Sequence, residues 1–377
     1  MIIKVDRLLI KNFDWVTFGL VLCLSLIGIV TIYSATRPPG GVGVHPDFYS
    51  KQIVWLIISI AVLFAMVFFD YKWLFRYAYQ LYGIGLFLLV AVLVAGRSSM
   101  GAKRWLSIGF FSFQPSEFFR ILFIIGLSAY LATSDLESTE KMSAKSVVMF
   151  AIVPLALLIK QPDLGTAILM VSLFTVLSVS KGVSRKVITV VLMIGIVSVP
   201  FLGHIVWDGL KDYQKNRLVA FMDPEVDPSG IGYHITQSKI SIGSGGIIGK
   251  GYLRGTQGPL RFLPEKHTDF IFAVYAEEGG FVGSIFLLCI YLLLFLRGLD
   301  TAVRAKDEFG RLMAVGITAM FFVYFCVNIG MTLSLMPVVG VPLPFVSYGG
   351  TALLSNFIAA GILINIRTRR FELFYPS

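Results

Sequence analysis

The sequence predicts an all-α polytopic integral membrane protein, and three observations carry that prediction. Of its 377 residues, 56% are hydrophobic and only 14% are charged, at a mean hydropathy of +0.80. A soluble domain carries about 25% charged residues, so a water-soluble globule is excluded. Apolar runs near the length that crosses a bilayer, about 20 residues, recur some ten times. Between them, loops rich in Lys and Arg alternate with loops that are poor in both. The 14% aromatic share, with 32 Phe, suits lipid-facing helices and interfacial belts.

Taken in order, the spans are expected at about 15–34, 52–69, 77–96, 114–133, 146–159, 165–180, 187–203, 268–296, 312–334 and 345–366. Residues 1–377 therefore read as one membrane domain with a single large loop, about 204–267, between spans seven and eight. The first run has the length of a signal sequence, but no cleavage site follows it convincingly and nine further spans favour a retained anchor. Spans five and six are short and flank Lys160-Gln161-Pro162-Asp163-Leu164-Gly165, where a broken helix is expected. Cys23, Cys289 and Cys326 all fall in apolar runs, which marks them as structural thiols and offers no disulfide framework.

Orientation follows from the short loops, because Lys and Arg accumulate on the cytoplasmic side. With the N-terminus inside, the inner segments hold 17 of them and the short outer loops six. Both termini are thus expected in the cytoplasm. The long loop then lies outside with eight cations, including Lys211, Lys215, Arg217, Lys239, Lys250 and Arg254, and all four histidines lie on the same side. The net charge of +10 is accounted for by this distribution and not by a nucleic-acid surface.

Ionisable groups in or beside a span are costly and default to functional or paired roles. Glu117, Asp163 and Asp269 come from distant stretches yet share one depth near the outer surface, where Lys160 and Arg120 could pair with them. Glu277 and Glu278 lie about 12–14 Å deeper along the helix that Asp269 opens. A buried ion pair that fixes helix register is the plain reading of each carboxylate, and for Glu277 and Glu278 the better one. Asp269 differs. Pro264 stops the loop, Thr268 is placed to cap the helix, and Asp269 then falls in the first turn, beside Lys266 and His267. An ionised carboxylate at the water–lipid boundary suits general-base work on a hydroxyl, although simple capping would also explain it. The glycine-rich stretch 241–251 could offer backbone N–H groups to phosphate, with a flexible loop as the commoner explanation. Residues 342–351, with Ser347, Gly349 and Gly350, read as close helix packing or as a groove wall for a lipid chain.

Several long motifs together resemble the SEDS family (shape, elongation, division and sporulation). They are Leu263-Pro-Glu-Lys-His-Thr-Asp-Phe-Ile-Phe-Ala-Val with Glu277-Glu278, Gln114-Pro-Ser-Glu117, Gln161-Pro-Asp-Leu-Gly-Thr, Asn216-Arg-Leu, Gly232-Tyr-His-Ile-Thr-Gln-Ser and Pro342-Leu-Pro-Phe-Val-Ser-Tyr-Gly-Gly. They run in order over nearly the whole chain, and the short N-terminus resembles the rod-elongation branch more than the division branch.

The resemblance implies a multi-pass enzyme of the bacterial cytoplasmic membrane that polymerises lipid II on the outer face during elongation. It also implies that Asp269 is the catalytic residue. The implied transfer is inverting, with undecaprenyl pyrophosphate leaving. Arg217, Lys239 and Lys250 are expected to steady that leaving group, with a divalent cation (magnesium or manganese) able to share the work, and no other cofactor. Arg104, Glu117, Arg120, Lys160, Asp163, Glu265, Lys266, His267, Thr268 and Ser347 complete the expected cavity and substrate-binding set. Implied partners are undecaprenyl-linked glycan, membrane lipids, a class B penicillin-binding protein (a transpeptidase) and other elongation-complex proteins, and no nucleic acid. Two departures stand out: Arg120 occupies a position where Lys is expected, and Thr351-Ala352 replaces a Ser pair. The competing readings are a lipid II flippase, an ion-coupled transporter, or a non-catalytic scaffold of the elongation complex.

Overall fold

The computed structural model describes residues 11–38, 47–99, 102–108, 111–133, 147–161, 163–182, 212–223, 230–256 and 267–370. The seventh expected span, 187–203, lies outside them, as do Glu265 and Lys266. Among the described residues, seven helices are long and apolar enough to cross a membrane. These are α1 (Trp15–Thr36), α2 (Phe48–Phe68), α4 (Ala78–Ala95), α5 (Pro115–Thr133), α10 (Ile271–Val303), α11 (Glu308–Thr332) and α12 (Gly350–Thr368). Between them lie the short helix α3 (Lys72–Arg76), the apolar α6 (Val153–Lys160, entered through a wider turn at Val148–Ile152) and α7 (Leu164–Lys181), and the polar helices α8 (Asp212–Met222) and α9 (Ile231–Ser244).

Asp14 organises one end of the bundle. It caps α1 by accepting from Thr17 N at 3.4 Å, and it takes Arg297 Nη2 of α10 at 2.8 Å and Arg367 Nε of α12 at 3.4 Å. The start of α1 and the C-terminal ends of α10 and α12 are thereby held at a common level. At the opposite end of α1, Ser34 donates to Glu278 of α10. The 22 residues of α1 therefore match the stretch from Arg297 back to Glu278, and residues 271–277 extend beyond it. Glu278 thus stands level with the end of α1 while lying within α10.

The sequence misplaced the bounds of α10, which begins at Ile271 and not 268 and continues to Val303. At 33 residues it is about 50 Å long, more than a bilayer core requires. Its course breaks at Gly280, whose φ of 63° and ψ of −160° leave the helical region. The glycine-rich turn 245–251 docks there: Lys250 N and Gly251 N donate to Glu277 O and Glu278 O, while Phe281 N and Val282 N donate to Gly246 O and Ile247 O. Only glycine fits this contact, since a Cβ on Gly280 would fall 2.2 Å from Gly249 N.

Residues 97–113, read from sequence as a plain loop, form a three-stranded antiparallel sheet of β1 (Arg97–Ser99), β2 (Ala102–Ile108) and β3 (Phe111–Phe113). Its register sets Arg97 opposite Trp105 and Leu106 opposite Phe113. This small sheet carries Arg104 toward the start of α5 and α7. The expected break at 160–165 is present: the chain leaves α6 at Lys160 and re-enters helix at Leu164, capped by Asp163.

Candidate active site

Residues 267–270 form a turn that precedes α10. Phe270 is the N-cap and makes no side-chain cap bond, so the expectation that Thr268 caps the helix with Asp269 in its first turn is corrected. The turn is held by its carbonyls instead. His267 O accepts from Tyr348 N at 2.8 Å, Thr268 O from Ser347 Oγ at 2.7 Å, and Asp269 O from Asn328 Nδ2 at 3.0 Å. Ser347 Oγ also accepts from Leu343 N at 2.8 Å, which ties the turn to the proline-rich segment before α12. The His267 ring packs on Phe48 and Tyr348, with centroids 4.4 and 5.5 Å away.

The Asp269 carboxylate, half-buried, faces Gly340. A Cβ on Gly340 would lie 3.4 Å from Asp269 Oδ2 and 3.5 Å from Arg217 Nη1. A carboxylate and a guanidinium from distant parts of the chain thus flank one point, and the residue beneath them has no side chain. Gly340 has a φ of 75°, so it is required both for its backbone conformation and for the space.

A second polar group adjoins the first. Asp163 caps α7 through Thr166, whose Oγ1 lies 2.9 Å away, and it also accepts from Ser116 Oγ at 3.1 Å; Arg104 Nη1 stands 3.8 Å from it. Glu117 pairs with Arg120 at 2.5 Å, and the same Arg120 Nη2 donates to Ser355 Oγ at 2.8 Å and Asn356 Oδ1 at 2.9 Å. The guanidinium stacks 4.4 Å from the centre of the Tyr324 ring. The two groups share a wall. Gly165, two residues after Asp163, lies so close to Val341 and Val339 that a Cβ there would meet Val341 Cγ2 at 2.7 Å.

Of the residues expected from sequence, the structure brings together Arg104, Glu117, Arg120 and Asp163 in one group, and Arg217, His267, Thr268, Asp269 and Ser347 in the other. Lys160 is exposed at the end of α6 and makes no ion pair among the described residues. Lys239 is exposed on α9. Lys250 Nζ lies 2.6 Å from Glu277 Oε1, and Thr256 N donates to the same oxygen at 2.8 Å. With the N–H groups of Gly249, Lys250 and Gly251 engaged by carbonyls, the glycine-rich stretch is a docking turn for α10; the reading as an anion cradle is corrected.

Sequence reasoning missed Asn328, Tyr324, Ser355 and Asn356; a lone amide inside the apolar run 312–334 was the signal available for Asn328. Among the described residues, no three His, Cys, Asp or Glu side chains cluster as a metal site. A single carboxylate beside a guanidinium is a poor donor set for magnesium or manganese, so no step is routed through a metal.

The family model described as "Cell cycle protein", covering FtsW, RodA and SpoVE, matches residues 14–372. The chain is 41% identical over 347 residues to the peptidoglycan glycosyltransferase MrdB of Escherichia coli (strain K12), covering 92% of this chain and 93% of that protein. It is 33% identical to the peptidoglycan glycosyltransferase RodA of Treponema pallidum (strain Nichols), over 96% of this chain and 99% of that one. Among solved structures it resembles a chain from "Structural coordination of polymerization and crosslinking by a peptidoglycan synthase complex", with a TM-score of 0.80 at 30% identity over 96% and 99% of the two chains. It also resembles the rod shape determining protein RodA of Thermus thermophilus, with a TM-score of 0.70 at 27% identity over 96% and 98%. On sequence and fold together, this chain belongs to the FtsW, RodA and SpoVE family of cell cycle proteins.

Proposed function

We propose that this chain is a peptidoglycan glycosyltransferase that polymerises lipid II on the outer face of the cytoplasmic membrane, with Asp269 as general base. The observation that carries the reading is the Asp269 carboxylate, held on a turn pinned at three successive carbonyls, with Arg217 flanking the same point above Gly340. The 4-hydroxyl of an acceptor GlcNAc attacks C1 of a MurNAc. The new O–C1 bond forms as the C1–O(phosphate) bond breaks, the electron pair leaves with undecaprenyl pyrophosphate, and the hydroxyl proton passes to Asp269 Oδ2. Arg217 stands where it can hold anionic phosphate oxygens as charge develops on them. The Lys and Arg asymmetry of the short loops supports an outward-facing site with both termini inside.

Similarity to a chain from a synthase complex that coordinates polymerization and crosslinking supports pairing with a transpeptidase. A flippase needs polar groups along a path through the bilayer; Glu277 and Glu278 stand level with the end of α1 and do not mark one. The test is polymerisation in vitro. The purified protein and its cognate transpeptidase are supplied with lipid II, and glycan strands are resolved beside Asp269→Asn. Strands from wild type and none from the folded variant are expected; equal strands from both would remove Asp269 from the chemistry.

A further inference from the structure

We infer that Asn328 is a positioning residue that sets the Asp269 carboxylate against its opposing wall. This rests on Asp269 being the base. Asn328 is fully buried in the last turns of α11, four residues before the helix ends at Thr332, where an amide is costly unless its hydrogen bonds are made. Its Nδ2 donates to Asp269 O at 3.0 Å and to Val341 O at 2.7 Å. Because both acceptors are carbonyls, the NH₂ side of the amide must face them.

The two bonds join the two halves of the site. Asp269 O belongs to the turn that carries the carboxylate. Val341 follows Gly340, the residue above which Asp269 and Arg217 converge. One side chain thus fixes the distance between the backbone of the base and the backbone of the wall it faces. The other two pins, Tyr348 N and Ser347 Oγ, come from the segment before α12 and act on residues 267 and 268. Asn328 alone of the three donors comes from a membrane-spanning helix, so it ties the turn to the rigid bundle.

A matched control exists in the same chain. Asn365 of α12, 2% exposed, donates from its Nδ2 to Met66 O at 2.6 Å and to Phe69 O, bridging two carbonyls at the end of the bundle away from Asp269. A purely structural amide predicts the same outcome at both places.

The experiment compares Asn328→Leu with Asn365→Leu in the full-length protein with its transpeptidase. It reads the thermal midpoint in detergent and the initial rate of strand formation against lipid II concentration. Asn328→Leu is expected to lower kcat about a hundredfold, the scale of an ångström-sized displacement of a reacting group. KM should stay within about twofold, because binding contacts are untouched. Asn365→Leu should lower the thermal midpoint and leave kcat of the folded protein unchanged. A wild-type kcat in folded Asn328→Leu would overturn the proposal, as would a loss of kcat in both variants that follows the folded fraction. If Asn328→Leu does not fold, Asn328→His, which keeps one N–H donor, replaces it: an intermediate kcat supports the role and a wild-type kcat overturns it. Asp269→Asn, run alongside, reports separately on the base assignment; strands from that variant would sink the underlying reading whatever Asn328 does.

Discussion

Arg120→Met is the substitution whose cost the structure defines most closely. Arg120 is fully buried and Glu117 is 4% exposed, and among the described residues Arg120 is the only cation paired with Glu117. Removing it leaves a buried carboxylate whose remaining contact is Ser355 Oγ, at 3.5 Å. Breaking a buried pair from one side costs about 3–5 kcal/mol. The bonds that Arg120 gives Ser355 and Asn356 are charge-assisted, so their loss belongs to the same effect as the loss of the ion pair. Charge is the term that decides. Arg120→Lys keeps the charge but gives up the planar fork and the stack on Tyr324, and should cost roughly 2 kcal/mol.

The double variant Glu117→Gln with Arg120→Met removes both charges and should recover most of the loss, giving a coupling energy of at least about 2 kcal/mol. The assay is equilibrium unfolding of the purified protein in mixed micelles, titrated with denaturing detergent and followed by tryptophan fluorescence. A loss below about 1 kcal/mol for Arg120→Met, or strict additivity in the cycle, would refute a buried ion pair as the source of this group's stability.

Two further substitutions probe the backbone around the site. Gly340→Ala places a Cβ 3.4 Å from Asp269 Oδ2 in a left-handed conformation, and should lower the polymerisation rate at least about tenfold while the protein still folds; an unchanged initial rate would contradict the crowding argument. Gly280→Ala would meet Gly249 N at 2.2 Å and Ile248 C at 2.7 Å, so it must push the 245–251 turn off α10; trypsin should nick after Lys250 or Arg254 faster than in wild type, and equal cleavage would show that the contact adjusts.

Much of the bundle was readable because membrane spans announce themselves by hydropathy alone, and the described long helices fall close to apolar runs. What hydropathy reports, however, is the bilayer and not the helix. α10 runs on through Arg297, Asp300 and Thr301 because those side chains are paired: Arg297 with Asp14, and Asp300 and Thr301 with Arg367. The sheet at 97–113 was missed for a related reason, since two of its three strands have only three residues and leave too little alternation to outweigh a loop reading. Asp269 stood out in the sequence as a charge at the edge of an apolar run. Its supports did not, because they are donated to backbone carbonyls, and no side-chain pattern records which carbonyls lack a helical partner. The glycine-rich stretch misled in the same way: its N–H groups looked available in sequence, and four-bond docking onto the Gly280 break is a tertiary fact.

The two polar groups are mechanically one device, because α11 carries a member of each. Tyr324, on which Arg120 stacks, and Asn328, which pins Asp269, are four residues apart and so lie one above the other on one face of that helix. A change in how Arg120 holds Tyr324 must therefore reach Asn328 within about 6 Å of helix rise. On this argument Arg120→Lys lowers kcat as well as stability, although nothing requires Arg120 to touch the reacting atoms. Once Asn328→Leu has already released the turn, adding Arg120→Lys should cost much less further rate than it does in wild type. The initial rates of the two single variants and the double variant decide the point. Fully multiplicative losses would mean that the Arg120 group acts on the substrate cavity independently, and that α11 does not transmit its position to the base.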